Sequence, residues 1–209
     1  MSAPMLTKDI LFFQRLLHAD GLYLDDLDGQ WGPKTEKASL AFDQRAEQIR
    51  AETRSFDIRS ENNILTLSLK AQRQARLCLG RLIDGGVHAR ILSGTRTYEE
   101  QNALFRQGRF GNPGPRVTEA RGGQSNHNFG VAWDIGIFTA AGGYVTDEAA
   151  YRAAGAIAMA GDSSATEWGG HWTKFVDYPH YQLKLGLGLS DLRTAFETGA
   201  GIAPLTALA

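Results

Sequence analysis

The stretch that most restricts how this chain can fold runs from Val131 to Phe138, where apolar character alternates with a period of two. Val131, Trp133, Ile135 and Ile137 fall on one side, and Ala132, Asp134, Gly136 and Phe138 on the other. This is a strand with one face in a core. The opposite face sets a carboxylate between two very small residues, and such cleared space suits a metal ion with an incoming substrate. His127 arrives from the loop just before, and Gly130 permits a turn toward the same place.

Farther on, DYPH at residues 177–180 supplies a second carboxylate and a second imidazole. Pro179 cannot donate to a sheet ladder and biases Tyr178 toward extended backbone, so DYPH reads as a strand with a local irregularity. Such a break lets Asp177 and His180 face one pocket. A zinc ion held by His127, Asp134 and His180 has three protein ligands and one open position, the catalytic rather than the structural pattern. Zinc lowers the pKa of a bound water from about 15.7 to roughly 7, and Asp177 is placed to take the proton. Each of these residues taken singly also fits a hydrogen-bonded structural role; the joint pattern favours the metal.

The remaining chain supplies punctuation. Thr7 as N-cap, Asp9 in the first turn, Ile10, Phe13, Leu16 and Leu17, then Gly21, mark a first helix. Asp28-Gly29 marks a turn, and Gly32-Pro33 starts a second helix carrying Ala38, Phe42 and Ile49 on one face. Residues 50–63 are charged and aperiodic and read as a linker. A long helix follows from Leu67 to Asp84, its stripe formed by Ala71, Ala75, Cys78, Leu79 and Leu82. Val87 to Leu92 reads as a strand. Thr97 and Glu100 form a capping box that starts a helix at Tyr98 and leaves Arg96 in the connection, a usual place for functional side chains. Another helix after Thr146 uses Ala150, Ala153, Ala154, Ile157 and Ala158. Strands mixed with segregated helices give an α+β class: a small antiparallel sheet flanked by helices and carrying the zinc site, preceded by a small helical domain. The expected divisions are 1–50, a linker at 51–64, a catalytic domain at 65–190, and a C-terminal helix and tail at 191–209.

Within EWGGHW, His171 is a rival ligand, but Gly169, Gly170, Trp168 and Trp172 read as a substrate-lining wall. His18 and His88 receive no role. Net charge is −1, from 22 Lys+Arg against 23 Asp+Glu, which offers no broad positive field for nucleic acid. Cys78 is the only cysteine, so no intramolecular disulfide forms and a buried thiol is expected. The apolar run from Ile10 to Phe13 is too short for a signal-peptide core or a membrane span. A monomer made in the cytoplasm without a signal peptide, and released to its target by another agent, is expected.

Two resemblances add to this reading. QRLL, DGQWGPKTEKA and Phe42, over residues 7–48, resemble the small helical peptidoglycan-binding domain found beside many cell-wall hydrolases; a plain helical hairpin packed on the main domain fits the same residues. RSENNILTL, SGTRTYEEQ, QGR, SNHNFGVAWDIGIF, EWGGHW and FVDYPHYQ, in that order over residues 56–185, resemble the zinc peptidases that comprise L-alanyl-D-glutamate endopeptidases and D-alanyl-D-alanine carboxypeptidases, several phage endolysins among them. The resemblance implies His127, Asp134 and His180 as zinc ligands, Asp177 as catalytic base, Arg96 as the arginine that binds substrate and transition state, and Ser125 as a substrate hydrogen-bond partner. It implies cleavage of the peptidoglycan stem peptide at the L-Ala/D-Glu bond by an endolysin released through a holin lesion. A D-Ala-D-Ala carboxypeptidase with the same centre, and a catalytically silent zinc-containing wall-binding module, are the alternatives.

Overall fold

The computed structural model describes residues 9–161 and 164–199. In chain order these form α1 (Ile10–Ala19), α2 (Pro33–Glu52), α3 (Ile58–Ile64), α4 (Leu69–Asp84), β1 (Ala89–Ser93), α5 (Tyr98–Arg106), β2 (Ala132–Ile137), α6 (Glu148–Met159), β3 (Thr166–Trp168), β4 (His180–Leu183) and α7 (Leu189–Thr198). The strands make one antiparallel sheet in the order β1-β2-β4-β3. The α+β class expected from the sequence is what the chain adopts.

Alternation along β2 and β4 divides the sheet into two faces. Trp133, Ile135, Tyr181 and Leu183 are buried against helices, with α4 lying on β1 and β4 and α6 on α4 and β3. Trp133 stacks on Tyr181 at 6.2 Å between ring centroids, and Tyr181 stacks on Trp168 at 6.3 Å. Each such side chain removed from water contributes about 1.5–3 kcal/mol. The α4 stripe is as expected: Ala71, Ala75, Cys78, Leu79 and Leu82 are all buried, and burial pushes the Cys78 thiol up to about 12. The other sheet face holds Asp134, His180, Gln182 and Glu167, because the registers set Asp134 opposite His180 and Glu167 opposite Gln182.

The N-terminal helices share this core. Phe12 of α1 meets Phe196 of α7 at 5.4 Å, and Phe196 meets Phe129 at the same distance, so an aromatic chain runs from α1 to the turn that carries His127. Gly130 has φ +72°, and a Cβ there would stand 2.5 Å from Leu16 Cδ1. Its backbone is pressed against α1. The buried carboxylate of Asp20, at the end of α1, accepts the Leu69 N–H at the start of α4.

Several expectations need correction. The cap of α1 is Asp9, whose side chain accepts the Phe12 N–H at 3.0 Å, and Thr7 lies outside the described residues. Residues 51–64 are not a plain linker, since α2 runs on to Glu52 and α3 occupies Ile58–Ile64 with Asp57 as its cap. What orders this charged stretch is pairing rather than apolar periodicity: the Glu61 carboxylate takes both Arg76 nitrogens at 2.8 and 2.7 Å, with Arg76 fully buried in α4. DYPH is a turn leading into β4 rather than an interrupted strand, closed by the His180 N–H donating to the Asp177 carbonyl at 3.2 Å. In α6 the buried face is formed by Tyr151, Ala154, Gly155 and Ala158, while Ala153 faces solvent. The C-terminal helix α7 starts at Leu189, before the expected boundary, and the tail from residue 200 lies outside the described residues.

Candidate metal centre

Three strategies of backbone placement bring the site together. Asp134 and His180 are cross-strand partners at the centre of the sheet. His127 stands in a single 3-10 turn, Asn126–Phe129, that ends at left-handed Gly130 just before β2. The loop after β1 brings Arg96, whose N–H donates to the His127 carbonyl at 3.0 Å and whose carbonyl accepts the Asn128 side-chain amide at 2.8 Å. The expected capping box of Thr97 and Glu100 is present and fixes the start of α5 beside it.

His127 Nε2 lies 3.2 Å from Asp134 Oδ1 and 3.3 Å from His180 Nδ1, and His180 Nδ1 lies 3.2 Å from the same Asp134 oxygen. The three donor atoms all lie within 4.8 Å of one another. Both imidazoles are held from behind. His127 Nδ1 is 2.7 Å from the Gly94 carbonyl and must donate to it, and His180 Nε2 is 3.0 Å from Gln182 Oε1. With the outer nitrogens engaged in this way, the converging nitrogens are the ones that can offer their lone pairs to a metal. One carboxylate oxygen and two imidazole nitrogens are a donor set that fits a divalent transition ion. These three residues could hold a metal.

Electrostatics at the centre are dominated by burial and by Asp134. Burial lowers the His127 pKa against the pull of Asp134. Burial works to raise Asp134, but the two imidazoles overcome it and hold the carboxyl well below the usual range. At His180 burial is outweighed by the Asp134 hydrogen bond and charge, and the pKa rises. Asp177 is pushed up, first by burial and then by Asp134. Arg96 is pulled down by burial, although the charges of Asp134 and Asp177 oppose this, and its Nη2 stands 4.0 Å from Asp134 Oδ2.

The centre forms the floor of a cleft of about 440 Å³ whose lining includes Arg96, Ser125, Trp172 and Asp177. Val117, Phe175 and Leu189 give it an apolar rim. Gly169 lets the Asp177 segment approach, since a Cβ there would stand 2.5 Å from the Asp177 carbonyl oxygen. Trp168 is a correction: it is 6% exposed and does not line the cleft. Period two puts it on the sheet face opposite Glu167, where it packs on Tyr181 and donates to the Tyr178 carbonyl at 2.8 Å. His171 is exposed, stands edge-on to Trp168 and is not among the three clustered donors. Sequence reasoning missed Gln182 and Glu167, which support His180 from behind. Their signal was the alternation of β3 and β4, which gives both residues the same face as Asp134.

A half-buried carboxyl group and a guanidinium flank the His/Asp/His centre in a cleft of the α+β fold, an arrangement suited to metal-assisted hydrolysis. Residues 118–183, which carry all three candidate ligands and Asp177, match the family model described as D-alanyl-D-alanine carboxypeptidase, of the M15 peptidases. The chain is similar to the peptidoglycan L-alanyl-D-glutamate endopeptidase CwlK of Bacillus subtilis, with 36% identity over 104 residues, covering 47% of this chain and 62% of that protein. It thus spans less than two thirds of that relative's length. Among solved structures, the L-Ala D-Glu endopeptidase ChiX of Serratia marcescens aligns with a TM-score of 0.49 and 25% identity, covering 63% of this chain and 90% of that one. The expected resemblance to this peptidase group is borne out over the stretch that carries the site.

Proposed function

We propose that this chain is a zinc peptidase that hydrolyses the stem peptide of bacterial peptidoglycan at the L-Ala/D-Glu bond. The observation that carries the proposal is the convergence of His127 Nε2, His180 Nδ1 and Asp134 Oδ1, each imidazole held by its outer nitrogen so that the inner one can take a metal. The similarity to CwlK, whose name states that bond, supports the choice of substrate.

His127, Asp134 and His180 would hold the zinc, which when bound supplies Lewis acidity and a water acidic enough to attack near neutral pH. Asp177, at the wall of the same cleft, takes the proton from the attacking water and returns it to the departing amine. Arg96 keeps its charge despite burial and faces the negative charge that develops on the scissile carbonyl oxygen. Trp172 walls the peptide channel, and Ser125 offers it a hydroxyl. Digestion of purified sacculi with mass spectrometry of the new termini tests the bond. New N-terminal D-Glu is expected; release of free D-Ala alone would support the second reading, which the description of the matched family favours.

The same proposal includes wall attachment by residues 1–50, with exposed Leu24, Trp31 and Leu40 as the contact side chains. Serine at all three positions should weaken pelleting with sacculi and leave cleavage of a soluble muropeptide intact. It further includes action as a monomer in an endolysin setting, with passage through a holin lesion; the motif resemblance supports this. Among the described residues, no helix is long and apolar enough to cross a membrane. Expression in the cytoplasm should cause lysis only when a holin is coexpressed.

A further inference from the structure

We infer that Glu167 is a positioning residue that selects the metal-binding tautomer of His180 through Gln182 and holds Trp172 at the cleft wall with its other oxygen. The inference rests on the metal-centre reading given above. Glu167 is the register partner of Gln182 across β3 and β4, on the sheet face that carries Asp134 and His180. The Gln182 side-chain amide donates to Glu167 Oε2 at 3.3 Å, and the Trp172 indole N–H donates to Glu167 Oε1.

A carboxylate can only accept, whereas a glutamine amide has one donating and one accepting end. Because the donating end of Gln182 is turned to Glu167, its oxygen faces His180 Nε2 at 3.0 Å and also receives the Asn126 amide. His180 Nε2 must therefore carry a proton, which leaves Nδ1, facing His127 Nε2 and Asp134 Oδ1, as the nitrogen that can give its lone pair to a metal. A reversed Gln182 would turn its NH₂ group on His180 Nε2, and on Asn126 as well. The proton would then move to Nδ1, where it blocks a metal. The same glutamate couples this choice to the substrate channel, since the Trp172 ring centroid stands 5.0 Å from that of His180.

Exchange of the two residues tests this. In Glu167→Gln the new amide accepts from Trp172 with its oxygen and presents its NH₂ to Gln182, which favours the reversed amide. Zinc affinity, measured by competition with a chromophoric chelator, should fall about 10–100-fold. Long-range ¹⁵N–¹H couplings in the metal-free protein should show His180 shifting toward the Nδ1–H form. The double variant Glu167→Gln/Gln182→Glu puts the accept-only group against His180, so affinity and tautomer should return to those of the parent. Zinc binding unchanged in Glu167→Gln, or a double variant as weak as the single one, overturns the inference. Failure of the parent itself to bind zinc would overturn the metal centre, and this inference with it.

Discussion

The Nδ1 atom of His127 lies 2.7 Å from the carbonyl oxygen of Gly94, so a backbone group in the loop after β1 decides which imidazole nitrogen faces Asp134. Gly94 is itself wedged: a Cβ there would stand 2.3 Å from the Asn63 carbonyl oxygen at the end of α3, and the neighbouring Thr95 N–H donates to Thr66 Oγ1 at 2.8 Å. The end of the charged stretch that reads as a linker thus packs directly against the loop that holds His127.

Removal of one donor should empty the site. In His127→Ala, zinc retained after gel filtration, measured by atomic emission, is expected to fall well beyond the about 10–100-fold loss typical of outer-shell changes. Stoichiometric zinc in that variant would exclude His127 as a ligand.

Asp177 should separate metal from turnover. Asp177→Ala is expected to keep its zinc and to lose about 10²–10⁴-fold in the rate of muropeptide cleavage, the usual contribution of a positioned acid–base group. Full lytic activity would remove it from the mechanism.

Asp20 predicts a pH-dependent weakness. Burial raises its pKa from the ordinary 3.8 to about 7, against the opposing Leu69 hydrogen bond. Between those values the folded chain holds a proton that the unfolded chain has released, so stability falls as pH rises. At about 1.4 kcal/mol per pKa unit the loss reaches about 4 kcal/mol above pH 7. Asp20→Asn keeps an acceptor for Leu69. Urea unfolding should therefore show the variant's advantage growing from pH 4 to pH 7 and level thereafter; a difference independent of pH would contradict the buried acid.

The Glu61–Arg76 pair gives an asymmetric expectation. Glu61→Ala leaves a fully buried guanidinium uncompensated and should cost about 3–5 kcal/mol in urea unfolding, whereas Glu61→Leu with Arg76→Met should lie close to the parent. A single variant as stable as the double one would show that the pair is not buried in solution.

What the sequence determined by itself was local and periodic. Alternation from Val131 to Phe138 prescribed β2 and put Asp134 opposite the core face; the stripe of Ala71, Ala75, Cys78, Leu79 and Leu82 prescribed α4; Thr97 and Glu100 prescribed the start of α5. The candidate ligands were legible because His127 and His180 flank strands whose periods are readable. Tertiary structure alone decided what depends on partners distant in the chain. It ordered α3 through Arg76, turned Trp168 into the core while Trp172 stayed in the cleft, and set Glu167 opposite Gln182. Periodicity is a property of neighbours along a chain and can be read there, but a buried charge or a cross-strand register is satisfied only by residues that folding brings together.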